Sequence, residues 1–192
     1  MVAITFVVAI TFISCKEKLT KVNVDAKELP VQTVRNMEAV RTTNGRVDMK
    51  MNAPLMERYE TKKKVNNREV ISFYELFPKG FFVYGYNEKG ELETKIEAGN
   101  AKHSSLDGEE KWEVFDNVVV RNLINKQRIE TDTLYWDKDK RIIYNYCYVQ
   151  LFSPQSYLQG YNLRSDEMAR EVDILKPFNS TYVAKDTLKQ SQ

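Results

Sequence analysis

An all-β domain is what this chain predicts, and three observations carry the prediction. Its 192 residues include 11 Tyr and 9 Phe beside only 7 Gly and 5 Pro, and aromatic and β-branched side chains favour pleated, half-buried surfaces. Short apolar runs recur between turn signals along most of the chain, the pattern of a sandwich, barrel or open jelly roll. Between residues 46 and 174 no stretch holds a helical period for more than about two turns. The length suits one domain, or one domain with a tail. Charge is nearly balanced, 29 Lys+Arg against 27 Asp+Glu, which excludes the basic excess of a nucleic-acid binder. A charged fraction of 29% with 42% hydrophobic residues excludes wholesale disorder.

Residues Val2 to Ser14 form a charge-free apolar run that ends at Cys15. A spanning helix needs about 20 apolar residues, so the run has the length of a signal-peptide core. Phe12-Ile13-Ser14-Cys15 resembles a bacterial lipobox, in which the cysteine thiol is acylated after cleavage, and the chain turns polar at Lys16-Glu17-Lys18. The other reading is an uncleaved anchor with an incidental cysteine. Residues 1–15 are therefore expected to attach the chain to a membrane, with the rest outside the cytoplasm. With Cys15 acylated, Cys147 is the one thiol left and no internal disulfide forms.

Residues 16–45 are polar, contain Pro30 and hold no sustained period, so they are expected to be a tether. Met49, Met51 and Ala53 alternate with polar residues and read as a half-buried strand. Further strands are predicted over Phe81 to Tyr86, Leu92 to Ala98, Trp112 to Asn122, Arg128 to Trp136 and Ile142 to Phe152. Turn chemistry separates them at Asn44-Gly45, Pro78-Lys79-Gly80, Glu88-Lys89-Gly90, Asp107-Gly108 and Asp137 to Lys140. Two short helices are expected, over Pro54 to Glu60 and Asp166 to Val172. Residues 46–175 make up the domain, and 176–192 a polar tail.

A weak internal repeat runs through this region. The block from Ile96 to His103 leads through a turn to Val118-Val119-Val120, and the block from Ile129 to Trp136 leads through a turn to Val149-Gln150-Leu151. Each block is a strand with a bulge followed by a return strand. Such a unit cannot bury its own apolar face and must stack on its neighbour. Placing a phase shift between Ala98 and Ala101, and another between Thr131 and Leu134, turns ten side chains inward: Ile96, Ala98, Ala101, Val118, Val120, Ile129, Leu134, Trp136, Val149 and Leu151.

These blocks carry a likeness to a known family. Phe77 to Gly90, Ala98 to Ala101, Asp116-Asn117-Val118-Val119-Val120, Glu130 to Asp137, Leu158-Gln159-Gly160-Tyr161 and Ser165-Asp166 together resemble the LptC family of lipopolysaccharide export, over roughly residues 45 to 175. The resemblance implies a twisted, open β-jelly roll tethered on the periplasmic side of the inner membrane. It implies a carrier that receives lipopolysaccharide from the Lpt ABC transporter, through the periplasmic domains of LptF and LptG, and passes it to LptA. Known members hold on through a transmembrane helix, whereas this N-terminus reads more like a lipoprotein.

The ten inward residues are then the expected lipopolysaccharide-binding face, since acyl chains gain about 0.8 kcal/mol per buried methylene without covalent chemistry. Read without the resemblance, the same residues are a packed core. An open sandwich also has edge strands suited to pairing with other proteins, expected at Val47 to Ala53 and at Tyr157 to Leu163 unless the tether and tail cap them.

Enzyme readings have little to stand on. The single histidine, His103, occupies a ring position in the repeat, and no GxSxG, HExxH, phosphate loop or CxxC is present. Glu109, Glu110, Asp137 and Asp139 fall in turns as solvated charges. No catalytic residue, metal or cofactor is expected. The run Lys62-Lys63-Lys64 with Arg68 is a solvated face, or one that meets anionic headgroups. Two readings remain: a lipid carrier with an open apolar trough, or a scaffolding envelope lipoprotein with a closed, filled β core.

Overall fold

Thirteen strands build the residues described in the computed structural model, 29–182 without residue 67, and all of their pairings are antiparallel. In chain order they are β1 (Gln32–Thr43), β2 (Arg46–Val65), β3 (Arg68–Phe77), β4 (Phe81–Tyr86), β5 (Leu92–Ala98), β6 (Asn100–Leu106) and β7 (Glu109–Asn122). After these come β8 (Gln127–Asp137), β9 (Ile142–Tyr144), β10 (Tyr148–Phe152), β11 (Ser156–Asp166), β12 (Val172–Pro177) and β13 (Thr181–Tyr182). No helix occurs among the described residues.

The pairing divides the strands into two layers joined along a crease. Residues Met49–Asn52 of β2 pair with β4, whereas Glu57–Val65 pair with β3. In the same way β7 leaves β6 for β5, β8 leaves β10 for β9, and β11 leaves β10 for β9. The change of partner falls at one level of the fold in every strand. There the backbone departs from extended geometry, with positive φ at Asn36, Gly80, Asp116, Asn117 and Asn162. Asparagine, aspartate and glycine tolerate that region best.

Backbone hydrogen bonds run along the crease, from Gly80 N to Gly99 O at 2.8 Å and from Gly99 N to Asp116 O at 2.7 Å. At its far end Asn145, buried, replaces missing ladder bonds. Its Oδ1 accepts from Leu163 N at 2.8 Å and its Nδ2 donates to Thr131 Oγ1 at 2.7 Å. Cys147 lies in this corner, partly buried, with Sγ 3.2 Å from Thr131 Oγ1.

β4 and β5 have the predicted bounds, and the chain is all-β as expected. The two predicted helices are absent. Pro54 to Glu60 lies within β2, where consecutive Leu55 and Met56 are both buried because the strand crosses between layers there; two adjacent buried residues imitate a helical spacing. Asp166 ends β11 and Val172 begins β12, and the residues between them, 167–171, are turns and bends. Ile142 to Phe152, read as one strand, breaks at the Asn145 corner into β9 and β10.

Both ends of the chain contribute strands that the polar composition concealed. Residues 32–43, in the expected tether, form β1 along β2, so Val47 to Ala53 is not an edge. Residues 176–177 and 181–182, in the expected tail, belong to β12 and β13 on β11, so Tyr157 to Leu163 is covered as well. β1 and the β12–β13 pair are the outer strands of the two ends.

Gly99 sits where a Cβ would overlap the Asp116 side chain and press on its backbone carbonyl. Gly99→Ala is expected to cost about 1–3 kcal/mol by crowding the crease, read as a lowered urea midpoint. An unchanged midpoint would mean that the crease is not held at this close approach.

Candidate functional site

Cross-strand pairing alone assembles the inner wall. Directly paired residues form an apolar row through seven strands of one layer: Met51, Val83, Ile96, Val120, Ile129, Leu151 and Leu158. On the other layer His103, Trp112, Trp136 and Ile143 form a second row, and Ala101, Val114 and Leu134 a third nearer the crease. Bulges keep both layers in phase with one interior. Ala98 and Ala101 are both buried although three positions apart, because the crease falls between them, and the same holds for Thr131 and Leu134.

All ten residues assigned inward from the alternation lie on this wall. Ile96, Ala98, Ala101, Val118, Val120, Ile129, Leu134, Val149 and Leu151 are buried, and Trp136 is half-buried towards the open side. The alternation missed Phe77 and Phe81, each 1% exposed, and Ile143 and Leu163, which are also buried. The alternation of Phe81, Val83 and Gly85 was a usable signal; the three-residue β9 was too short to give one. Cys15 lies outside the described residues.

The aromatics of the second layer form a ladder. His103 stacks on Trp112 with centroids 4.1 Å apart, and Trp112 meets Trp136 at 6.0 Å and Phe77 at 6.0 Å. His103 Nδ1 lies 2.9 Å from Glu75 Oε2, so the histidine is a packing residue on the wall. Trp136 Nε1 and His103 Nε2 are buried without a hydrogen-bond partner among the described residues.

Away from the crease the two layers enclose a small apolar cavity of about 40 Å³ between Met49, Met51 and Val83 on one side and Trp112, Trp136 and Ile143 on the other. That is room for a few water molecules, far less than an acyl chain needs. Along most of its length the interior is filled.

Glu167 also borders this cavity and begins a strap, Glu167 to Glu171, that crosses the mouth from one layer to the other. Glu167 N donates to Arg141 O at 3.0 Å on the β8–β9 side. The Met168 carbonyl then accepts from Thr94 Oγ1 at 2.6 Å and Asn122 Nδ2 at 2.9 Å on the opposite layer. Ion pairs fasten both ends. The Glu167 carboxylate, 4% exposed, takes Arg41 at 3.1 Å and Arg141 at 2.6 Å. Arg170 reaches the buried Glu93 through two bonds of 2.7 and 2.6 Å. Arg41 also binds Asp48 at 2.9 Å and lies over the Trp136 ring. Burial works to raise the Asp48 carboxyl, but hydrogen bonds from Arg41 and Thr43 and the charges of Arg41 and Arg141 outweigh it and hold the group below its usual value.

Among the described residues no cluster of His, Cys, Asp and Glu could hold a metal ion, and no helix is long and apolar enough to cross a membrane. The wall offers shape and apolar surface; its polar groups gather at the strap.

A family model described as "Lipopolysaccharide-assembly, LptC-related" matches residues 1–183. No curated protein matches the chain.

Two outcomes are expected at the strap. Glu167→Gln removes the charge that both arginines share and should cost about 2–3 kcal/mol, the range for charge-assisted hydrogen bonds. Urea unfolding measures the loss, and amide exchange should rise first in residues 167–171. In acid, the stability that Asp48 contributes is complete above its unfolded value near pH 4 and disappears as pH falls through its lowered folded value. Asp48→Asn should therefore flatten the acid limb of the stability–pH curve; an unchanged limb would remove Asp48 from that account.

Proposed function

The chain belongs to the LptC-related family of lipopolysaccharide-assembly proteins, whose role is lipopolysaccharide transport, and from that premise we propose that it carries the lipid between its two β layers. In this reading it takes lipopolysaccharide from the inner-membrane Lpt ABC transporter and passes it to LptA. The single observation that supports it most is the unbroken apolar row from Met51 to Leu158, which runs across seven strands from the β1 end to the β12 end. A closed globular core has no need of such a row. Acyl chains along it gain about 0.8 kcal/mol per buried methylene, and no bond is made or broken. The family is a transport component.

The cavity of about 40 Å³ means that cargo parts the layers. They part at the mouth, where the strap and its ion pairs hold them, because at the crease β2, β7, β8 and β11 run through from one layer to the other. The ten inward residues, Ile96 to Leu151, then meet acyl chains, while the phosphorylated sugars stay outside with the arginines of the mouth. The outer flanks of β1 and of β12–β13, unpaired among the described residues, are the surfaces on which the transporter's LptF and LptG domains and LptA would add strands. Residues 1–15, through an acylated Cys15 or an uncleaved segment, hold the chain to the periplasmic side of the inner membrane. Residues 16–31 join them to β1.

The filled interior also favours a second reading, a scaffolding envelope lipoprotein whose core stays closed and takes no lipid. Photocrosslinking decides between them. A photoreactive residue is placed singly at Val120, Trp136 or Leu151, and at the exposed Lys138, in chain loaded by an energised transporter. Lipopolysaccharide adducts at the three inner positions and none at Lys138 are expected. A folded chain silent at every position would leave the scaffold.

A further inference from the structure

The hairpin made by β2 and β3 reaches past the rest of its layer. Its strands pair from Glu57↔Leu76 to Val65↔Arg68, but β6 accompanies β3 only as far as Phe73↔Ser105. On the other flank, β1 accompanies β2 only to Gln32↔Arg58. Residues 61–72 therefore stand beyond both neighbours.

Charge and apolar exposure meet at this tip. Lys62, Lys64 and Arg68 are exposed there, facing one carboxylate, Glu69. The ion pairs of the hairpin lie at its base, where Arg58 binds Glu60 at 3.0 Å and Glu75 at 3.4 Å. Ile71 is paired directly with Lys62, so both project from one face, and it is 63% exposed. An exposed isoleucine among cations serves no folding purpose, yet it suits an interface where cations sit at headgroup level and one apolar side chain enters the acyl boundary.

The course of the N-terminal chain fixes which end of the domain this is. β1 begins beside the base of the hairpin, at Gln32↔Arg58, and Val31 N donates to Arg58 O, so the N-terminal chain enters the domain at the hairpin's base. Leu29 and Val31 are 54% and 60% exposed there. Thirteen residues, 16–28, separate them from Cys15 and span at most about 45 Å. The hairpin thus rises from the end of the domain at which the tether enters, within reach of the segment that ends at Cys15.

We propose that the tip of the β2–β3 hairpin is a membrane-contact surface. Lys62 and Lys64, on the face of Ile71, rest on the anionic headgroups of the bilayer that holds the N-terminal segment, with Arg68 at the turn beside them and Ile71 inserted into the acyl boundary. The proposal rests on reading residues 1–15 as a membrane anchor. It gives the domain a fixed bearing: β1 lies near the membrane and β12–β13 away from it. Contacts between exposed charges act over roughly a Debye length, about 8 Å at physiological salt, so the surface works only where the tether keeps it close.

The test uses the full chain with Ile71→Trp, or with Tyr182→Trp at the opposite edge. Each is reconstituted into vesicles containing brominated phosphatidylcholine, alone or mixed two to one with phosphatidylglycerol. Fluorescence of the parent chain, from Trp112 and Trp136, is subtracted. Quenching at position 71 should exceed that at 182 in the anionic vesicles, shrink without phosphatidylglycerol, and fall to the level of 182 when Lys62→Glu, Lys64→Glu and Arg68→Glu are combined. If the chain floats with the vesicles but position 71 is quenched no more than 182, or equally with and without anionic lipid, the proposal is overturned while the anchor stands. The hairpin is then left to a protein partner. Failure to float with either vesicle would overturn the anchor and the proposal together.

Discussion

Everything in this fold depends on the long strands bending, and the short ones ending, at the same level. A β-strand alternates its side chains strictly, so a flat sheet built from this sequence would turn one half of each apolar set to water. The crease removes that conflict by shifting the phase where it bends the chain. At Ala98-Gly99-Asn100-Ala101 both alanines face the interior, and at Asp116-Asn117 two left-handed residues do the same for β7. The hydrogen bonds from Gly80 to Gly99 and from Gly99 to Asp116 align these shifts from strand to strand. The apolar rows on the two layers face each other because the bends stay in register.

The same constraint explains why the interior holds so little space without being an ordinary sandwich core. Two separate sheets would be held by side-chain packing alone. Here β2, β7, β8 and β11 belong to both layers, so one side of the interior is closed by covalent backbone. The opposite side is held by contacts that can be remade: side chains meeting at the mouth, and the strap with Glu167 and Arg170. Glu93 and Glu167 are buried polar groups at the rim of an apolar wall. Each is paired with an arginine that reaches in from the surface, so neither carboxylate is left uncompensated while the strap is in place.

How much of this could be read in the sequence follows from how local each signal was. β4 and β5 were legible to the residue because Phe81 to Tyr86 and Leu92 to Ala98 have turn chemistry at their open ends and alternate within. The ten inward residues were legible because the phase shift leaves a trace in the sequence itself. The lipid-facing role proposed for them was not; that proposal comes from membership of a family. β1 was illegible because Gln32 to Thr43 has one flank and most of its surface in water, so its polar composition reads as a tether. β12 and β13 failed for the same reason. The strap was mistaken for a helix because Met168 and Ala169 are buried side by side, and only contacts made across the fold, with Thr94 and Asn122, show why. His103 gave no sign of stacking on Trp112, which comes from pairing across β6 and β7.

Opening such an interior differs in kind from unfolding it. The ladder bonds of each layer lie within that layer, and those at the crease lie along its axis. Two leaves turning about the crease would keep nearly all of them. The cost falls on the apolar contacts at the mouth and on the few polar bonds of the strap. Arg41 and Arg141 reach the strap from different strands and share one carboxylate, so releasing Glu167 frees both together. The resistance to opening is thereby concentrated in a short segment, and the long strands can remain paired throughout.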